Sequence, residues 1–369
     1  MTCDYLGICG GCIEYPLEDK IALVAKSLAF DPYEVFLSSE SSFRARCELG
    51  IYHKDNGFFY TMRKGKQFVC IQNCPNLVLN IQQFLQVLHP ILHQRDFREF
   101  INKLFALEIL STQQNELLIT FIYHRRLEQS WLVLATKLKK ILEEKLLMKI
   151  ALIGRSRGVK LVVDRDYVIE KLEVADKYYF YRYDEGSFTQ PNPSINVKMI
   201  EWILSKAEKD SLDLLEMYCG CGNFTLPLSQ KFRKILATEI SKTSIQAAKF
   251  AASKNKISNI EFVRLSGEEC IEALTFQRKF RRLDSINLQE YTFSTILIDP
   301  PRCGVGERVC RFLQQFNQIF YISCNPATLL KDLECLRKTH QITALAFFDQ
   351  FPHTQHLESG VLLKSKNNS

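Results

Sequence analysis

The sequence predicts an α/β protein in three parts: a cysteine-containing segment over residues 1–39, a mixed α+β unit over 40–185, and a doubly wound parallel sheet over 186–369. Two observations lead to that reading. After residue 190, near-continuous apolar runs alternate with helical stretches, as in βα units whose sheet is covered on both faces. Before it, short runs of alternating polarity are separated by stretches of helical period, which reads as a mixed sheet with helices.

In the first unit, Arg46–Tyr52, Glu116–Tyr123 and Val159–Val163 read as strands, and Val87–Leu104 and Gln129–Leu147 as helices. In the second, Leu212–Tyr218 is an apolar strand running into glycines, and Lys234–Ile240 is the next strand. Ser241 then supplies an N-cap for a helix reaching Asn255. Further strands are expected at Ile260–Arg264, Ser294–Asp299, Ile319–Ser323 and Leu345–Gln350. Sheets of this kind gather ligands at the carboxyl ends of their strands.

Composition narrows the functional classes. The chain has 369 residues, 46% of them hydrophobic, enough for a sizeable core and two domains. No apolar run is long enough to span a bilayer and Met1–Cys12 lacks the features of an export signal, so a cytoplasmic address is expected. In that compartment thirteen cysteines do not form a disulfide framework. The net charge is +7 without a basic tail. Nucleic-acid contacts would come from local clusters: Arg44 and Arg46, Arg63 to Lys66, Arg125 and Arg126, Arg155 to Lys160, and Arg278 to Arg282.

Three motifs fall at predicted strand ends. Glu216-Met-Tyr-Cys-Gly-Cys-Gly-Asn-Phe224 follows the first strand, and Gly220 and Gly222 let backbone approach a ligand closely. The third glycine of a dinucleotide fingerprint is missing, because Thr225 stands there; this disfavours a pyrophosphate and suits a nucleoside such as S-adenosylmethionine. Glu239 ends the next strand, where a carboxylate can accept hydrogen bonds from both hydroxyls of a ribose. Ile298-Asp-Pro-Pro-Arg302 ends a third strand, and its prolines stiffen a turn that aims Asp299 and Arg302 at the crevice.

Ile319-Phe-Tyr-Ile-Ser-Cys-Asn-Pro326 puts Cys324 between an apolar strand and a helix N-terminus, where a thiol is favoured as the nucleophilic thiolate. A lone cysteine on a strand is most often inert core; its neighbours make this one a candidate nucleophile. Phe348 to Glu358 then offers His353, His356 and Glu358 as candidate bases, and the residues alone do not choose among them.

These runs, with Gly186-Ser-Phe-Thr-Gln-Pro-Asn192, Ala237-Thr-Glu-Ile240 and Phe280-Arg-Arg-Leu-Asp284, resemble the tRNA (uracil-5-)-methyltransferases of the wider RNA 5-methyluridine methyltransferase family. The resemblance covers nearly the whole chain and is densest after residue 178. It implies a Rossmann-like, S-adenosylmethionine-dependent methyltransferase domain behind an RNA-binding domain. It further implies Cys324 as nucleophile, Glu358 as the proton acceptor, and Gln190, Tyr218, Asn223, Glu239 and Asp299 as donor-binding residues. The implied substrate is the T-loop uridine in the T arm of tRNA, with the similar loop of tmRNA; no DNA or membrane partner is expected, and the chain is expected to act as a monomer. Carbon 5 of uracil is a feeble nucleophile, and a thiolate adding at carbon 6 would turn the ring into an enolate able to take the methyl group.

The sequence departs from the family pattern at three places. Cys221 stands where many members carry asparagine, and Cys303 where serine is usual. Cys3, Cys9 and Cys12, with a later Cys74, resemble instead the iron–sulfur ligands of the ribosomal RNA uridine-5 methyltransferases and imply a 4Fe-4S cluster; Cys47 and Cys70 are rival fourth ligands, and structural zinc or free thiols the alternatives. The same chemistry on a uridine of 23S ribosomal RNA is therefore a second reading. A non-catalytic RNA-binding or tRNA-folding helper and a small-molecule methyltransferase are readings of other classes.

Overall fold

The computed structural model describes residues 3–54, 57–208 and 211–366. Helix α1 (Leu17–Leu28) and the short strand β1 (Glu34–Phe36) come first. The first unit then runs β2 (Arg46–Lys54), β3 (Gly57–Lys64), β4 (Gln67–Ile71), α2 (Leu79–Leu92), α3 (Arg98–Ile101), β5 (Leu104–Ser111), β6 (Glu116–Tyr123), α4 (Gln129–Leu146), β7 (Lys149–Ser156) and β8 (Val159–Val162). These seven strands form one sheet in the order β4-β3-β2-β5-β6-β7-β8. Only β6 and β7 pair in parallel, and α4 supplies the crossover that a parallel pair requires. Phe84 and Leu88 of α2 and Trp131 and Leu138 of α4 bury against Leu107, Ile119 and Phe121 on one face of the sheet.

A separate hairpin follows, β9 (Tyr167–Val174) with β10 (Lys177–Asp184). Its inward residues Val168, Leu172, Tyr181 and Tyr183 share one core with Leu110, Leu118 and Ile153 of the first sheet and with Met199 and Ile203 beyond it. The two units are thus joined by packed side chains as well as by chain.

The second unit contains α5 (Pro193–Lys206), β11 (Ser211–Met217), α6 (Thr225–Leu228), β12 (Phe232–Glu239), α7 (Lys242–Lys254), β13 (Ile260–Arg264), α8 (Gly267–Leu274), β14 (Phe293–Ile298), α9 (Gly306–Leu313), β15 (Gln318–Ser323), α10 (Pro326–Leu336), β16 (His340–Phe348) and β17 (Glu358–Ser365). The sheet order is β1-β16-β17-β15-β14-β11-β12-β13. Strands β11 to β15 pair in parallel, as the doubly wound expectation requires. The apolar runs are continuous because both faces are buried: Leu214 enters the core with α5 and α7, and its neighbour Leu215 enters the core with α1, α9 and α10. The first segment therefore belongs physically to this sheet, with β1 as an edge strand and α1 in its core.

Several elements differ from expectation. The helix expected over 87–104 is α2, which begins at Leu79 and stops at Leu92; Phe97, Phe100 and Ile101 reach the same core from separate short turns, and Leu104 opens β5. The strand expected at 345–350 starts at His340 and stops at Phe348. Strand β17, hidden behind the polar residues that precede it, lies antiparallel between β15 and β16. Ser241 does cap α7, its hydroxyl accepting from Ser244 N–H at 3.2 Å.

Glu170 of β9 is 1% exposed and accepts from the N–H groups of Gln113 and Lys171 at 3.0 and 2.9 Å. Burial pushes its pKa up to about 7. A carboxyl raised in the fold favours the folded state at low pH, and that contribution is lost as pH rises through about 7. Glu170→Gln should therefore flatten the fall of unfolding free energy between pH 5 and 8, by at most about 3 kcal/mol; parallel stability–pH curves for variant and parent would disprove it.

Candidate active site

The parallel strands deliver five sequence-predicted residues to one edge. Tyr218 and Asn223 lie in the turn after β11, Glu239 ends β12, Asp299 follows β14 and Cys324 follows β15. Glu358 reaches the same edge from the opposite direction, as the first residue of the antiparallel β17. Ser323 pairs with Ser359, so one step further along the ladder brings Cys324 opposite Glu358. Directly opposed residues of antiparallel strands stand about 4.5–5.5 Å apart at Cα.

The turn after β11 is shaped by backbone geometry. Tyr218 has φ +64° and Gly222 φ +86°. Gly267, opening α8, has no room for a side chain, because a Cβ there would lie 2.6 Å from the Tyr218 hydroxyl oxygen. The carboxylate of Glu239 accepts from Gly220 N–H at 3.2 Å and from Ser241 N–H at 2.8 Å, which ties the two strand-end turns together. A carboxylate has roughly four acceptor positions, so capacity remains for a ligand's hydroxyls. Asn223 and Asn196 of α5 exchange two amide hydrogen bonds, each 2.8 Å, leaving one N–H of Asn223 to donate elsewhere. The oxygen of Gln190 accepts from Gln350 at 2.8 Å, so its amide nitrogen is the end left to face a ligand. Asn196 and Gln350 carry no signature in the sequence, since an amide inside a helix or a loop has no characteristic spacing.

Around Cys324 the electrostatics are dominated by desolvation. Burial, reinforced by the carboxyls of Glu358 and Asp299, pushes the thiol up to about 11, while the nearby Arg302 guanidinium opposes the rise. This corrects the expectation of a favoured thiolate: the N-terminus of α10 is capped by the Asn325 side chain, and burial outweighs what field is left. Asp299 rises to about 7 through burial. Glu358, 2% exposed, is held well above the usual carboxyl range by burial and then by Asp299, against the pull of Arg302. Glu216 rises to about 8 through burial, with the Thr225 hydroxyl opposing the rise and Asp299 adding to it; sequence reading gave it no role. Arg302 is fixed through its own carbonyl, which accepts from Asn325 Nδ2 at 2.9 Å.

A thiol facing a buried carboxyl beside an arginine, at the carboxyl edge of a parallel sheet, can form and release a covalent bond to an electrophilic ring. The family model described as tRNA (Uracil-5-)-methyltransferase matches residues 15–366.

The chain belongs to this family.

A tRNA/tmRNA (uracil-C(5))-methyltransferase of Nitratiruptor sp. is 43% identical over 98% of this chain and 99% of its own. That of Wolinella succinogenes is 43% identical over 99% and 100%. The crystal structure of Pyrococcus abyssi tRNA (uracil-54, C5)-methyltransferase in complex with S-adenosyl-L-homocysteine, 19% identical, superposes with a TM-score of 0.70 over 94% of this chain and 82% of that one, which establishes the shared methyltransferase fold.

Outside the stretch matched by the uracil-5 methyltransferase model, Cys3, Cys9 and Cys12 join Cys74 and the deeper Cys47 around one cavity of about 120 Å³. Cys70 is exposed and does not line it. Among the described residues no three such side chains stand in ligating positions as placed. The basic clusters fare unequally. Arg155 and Lys160 are taken up by Glu185 and Asp166, Arg125 by Glu99, and Arg282 by Glu269. Arg63 and Lys66, at the turn between β3 and β4, are exposed.

The electrostatics predict that Glu358→Gln lowers the pH midpoint for alkylation of Cys324, because a repelling charge is removed. Peptide-resolved iodoacetamide labelling across pH reads this directly; an unchanged or higher midpoint would show that the two groups do not interact.

Proposed function

We propose that this enzyme methylates carbon 5 of a uridine in RNA, the T-loop uridine of tRNA and the similar loop of tmRNA, through a transient bond between Cys324 Sγ and carbon 6 of the base. The observation that carries the reading is the register that sets Cys324 opposite Glu358, with Arg302 and Asp299 beside them. Near full-length relatives named for the tRNA and tmRNA reaction support the substrate over a ribosomal uridine, over a small molecule and over a non-catalytic role.

The donor pocket fits S-adenosylmethionine: Glu239 keeps acceptor capacity for ribose hydroxyls, Tyr218 closes on Gly267, and Gln190, Asn223 and Asp299 border the same edge. When bound, S-adenosylmethionine supplies a methyl group on a positively charged sulfur. Cys324 gives up its thiol proton to water and, as thiolate, adds to carbon 6, while the electron pair of the carbon 5–carbon 6 double bond moves onto the ring carbonyl as an enolate. The enolate re-forms the ring carbonyl as carbon 5 bonds the methyl group, and the methyl–sulfur bond breaks with its electron pair left on the sulfur of S-adenosyl-L-homocysteine. Glu358, as carboxylate, removes the proton from carbon 5; the electron pair re-forms the double bond and expels the thiolate. Burial and Asp299 raise this carboxyl, which makes its carboxylate a stronger base than an exposed one. Arg302 offsets negative charge while the thiolate forms, and Gln190 presents an N–H donor to a ring carbonyl.

To reach Cys324 the uridine must leave its stack, since the nucleophile lies at a strand end inside a crevice. Arg63 and Lys66 are exposed and suit phosphate contacts on the first unit. In this reading the protein works as a cytoplasmic monomer, with the 40–185 unit holding RNA and neither DNA nor membrane as partner.

The cysteine cavity suits a 4Fe-4S cluster on Cys3, Cys9, Cys12 and Cys74. Burial raises the thiols of Cys12 and Cys74, and the neighbouring cysteines raise them further, a repulsion that bound iron would relieve. Its role would be structural, closing the N-terminal segment onto the first unit.

Cys324→Ala should lose methyl transfer by several orders of magnitude while S-adenosylmethionine still binds; full turnover in this variant would reject the covalent mechanism. Glu358→Gln should leave RNA covalently attached, visible as a slow band on a denaturing gel, and its absence would remove Glu358 from the role of base. Anaerobically prepared protein should be brown, with Cys9→Ser colourless; colourless parent protein containing zinc would replace the cluster with a zinc site.

A further inference from the structure

The loop 349–357 between β16 and β17 is the stretch of chain that leads into Glu358, and much of its anchoring comes from the opposite end of the sequence. Lys20 on α1 is 4% exposed, and its ammonium donates to the carbonyl oxygens of Phe351 and His356, each at 3.3 Å. Ile13 N–H donates to the His353 carbonyl at 2.8 Å, and Asp349 N–H to the carbonyl of Phe36 in β1 at 2.9 Å. Within the loop, the Thr354 hydroxyl donates to the Phe351 carbonyl at 2.9 Å and accepts from His356 N–H at 3.2 Å.

A lysine buried this deeply is rare unless its charge is matched; here the matching charge is the carboxyl of Asp349 at the head of the loop, and core packing does not ask for a lysine, because Ile21, Val24 and Leu28 of the same helix already fill the apolar core. What the ammonium adds is a bridge between two backbone carbonyls five positions apart, one at the start of the loop and one just before Leu357 and Glu358. The loop in turn adjoins the reacting groups. His356 feels the charge of Arg302, and Arg302 is the guanidinium that faces both Cys324 and Glu358.

We propose that Lys20 is a positioning residue for methyl transfer, stapling Phe351 to His356 so that the loop holds Glu358 where it can take the proton from carbon 5. The inference rests on Glu358 acting as the base. It predicts a defect in a particular step: the Cys324–carbon 6 bond still forms, but proton removal and release of the thiolate slow down. A lysine that merely supported the fold would depress both steps together.

The test uses the full chain and a tRNA transcript, comparing Lys20→Met, Lys20→Arg and Glu358→Gln. Lys20→Met should turn over at least tenfold more slowly and accumulate the covalent RNA adduct, with S-adenosylmethionine affinity unchanged. Amides of residues 351–357 should exchange hydrogen faster in it while those of β11 to β15 keep their protection. Lys20→Arg, which can reach the same carbonyls, should recover most of the rate. Should Lys20→Met not fold, Lys20→Gln takes its place with the same expectation. Parent-like turnover without adduct in the lysine variants, while Glu358→Gln accumulates it, overturns the role of Lys20 alone. Absence of adduct in Glu358→Gln as well overturns the general-base reading and the Lys20 proposal with it.

Discussion

The pairing of Ser323 with Ser359 is the constraint from which the reactive centre follows. A parallel sheet alone would bring only strand carboxyl ends to the ligand edge. By entering between β15 and β16 in the reverse direction, β17 presents its amino end there, and Glu358 with it. Because side chains alternate faces along a strand, a slip of one residue would turn Glu358 away from Cys324. The buried interior of β17, with Val361 and Leu363 fully enclosed, makes that slip costly.

Burial does two kinds of work at this edge. It raises the thiol and three carboxyl groups together, so in the free protein the site carries less negative charge than its composition suggests. It also makes the single guanidinium of Arg302 count for more, since charges interact more strongly where water is excluded. The Cys324 thiol is therefore held in its protonated, less reactive form in the free protein.

Much of this was legible in the residues. The strands β11, β12, β14 and β15 announce themselves as apolar runs ending in glycine, acid or proline, so the positions of Tyr218, Glu239, Asp299 and Cys324 could be read directly. Strand β17 was not, because its first residues look like the end of a polar loop and its direction is decided by partners far away in sequence. For the same reason α1 and β1 gave no sign of belonging to the distal sheet: a three-residue edge strand has too little pattern to register. The thiol's pKa was misjudged for a related cause, since proximity to a helix end is visible in sequence and depth of burial is not.

The hairpin of β9 and β10 has a mechanical consequence for the substrate. Its tyrosines sit in a core drawn from both units, so swinging one unit away from the other would tear Tyr181 and Tyr183 out of their packing and wet surfaces that are now dry. That packing opposes a hinge motion between the units. In the proposed reaction the deformation that brings a stacked nucleotide within reach of the sulfur falls mainly on the RNA, so a loop that yields easily is favoured over a stiff one of the same sequence.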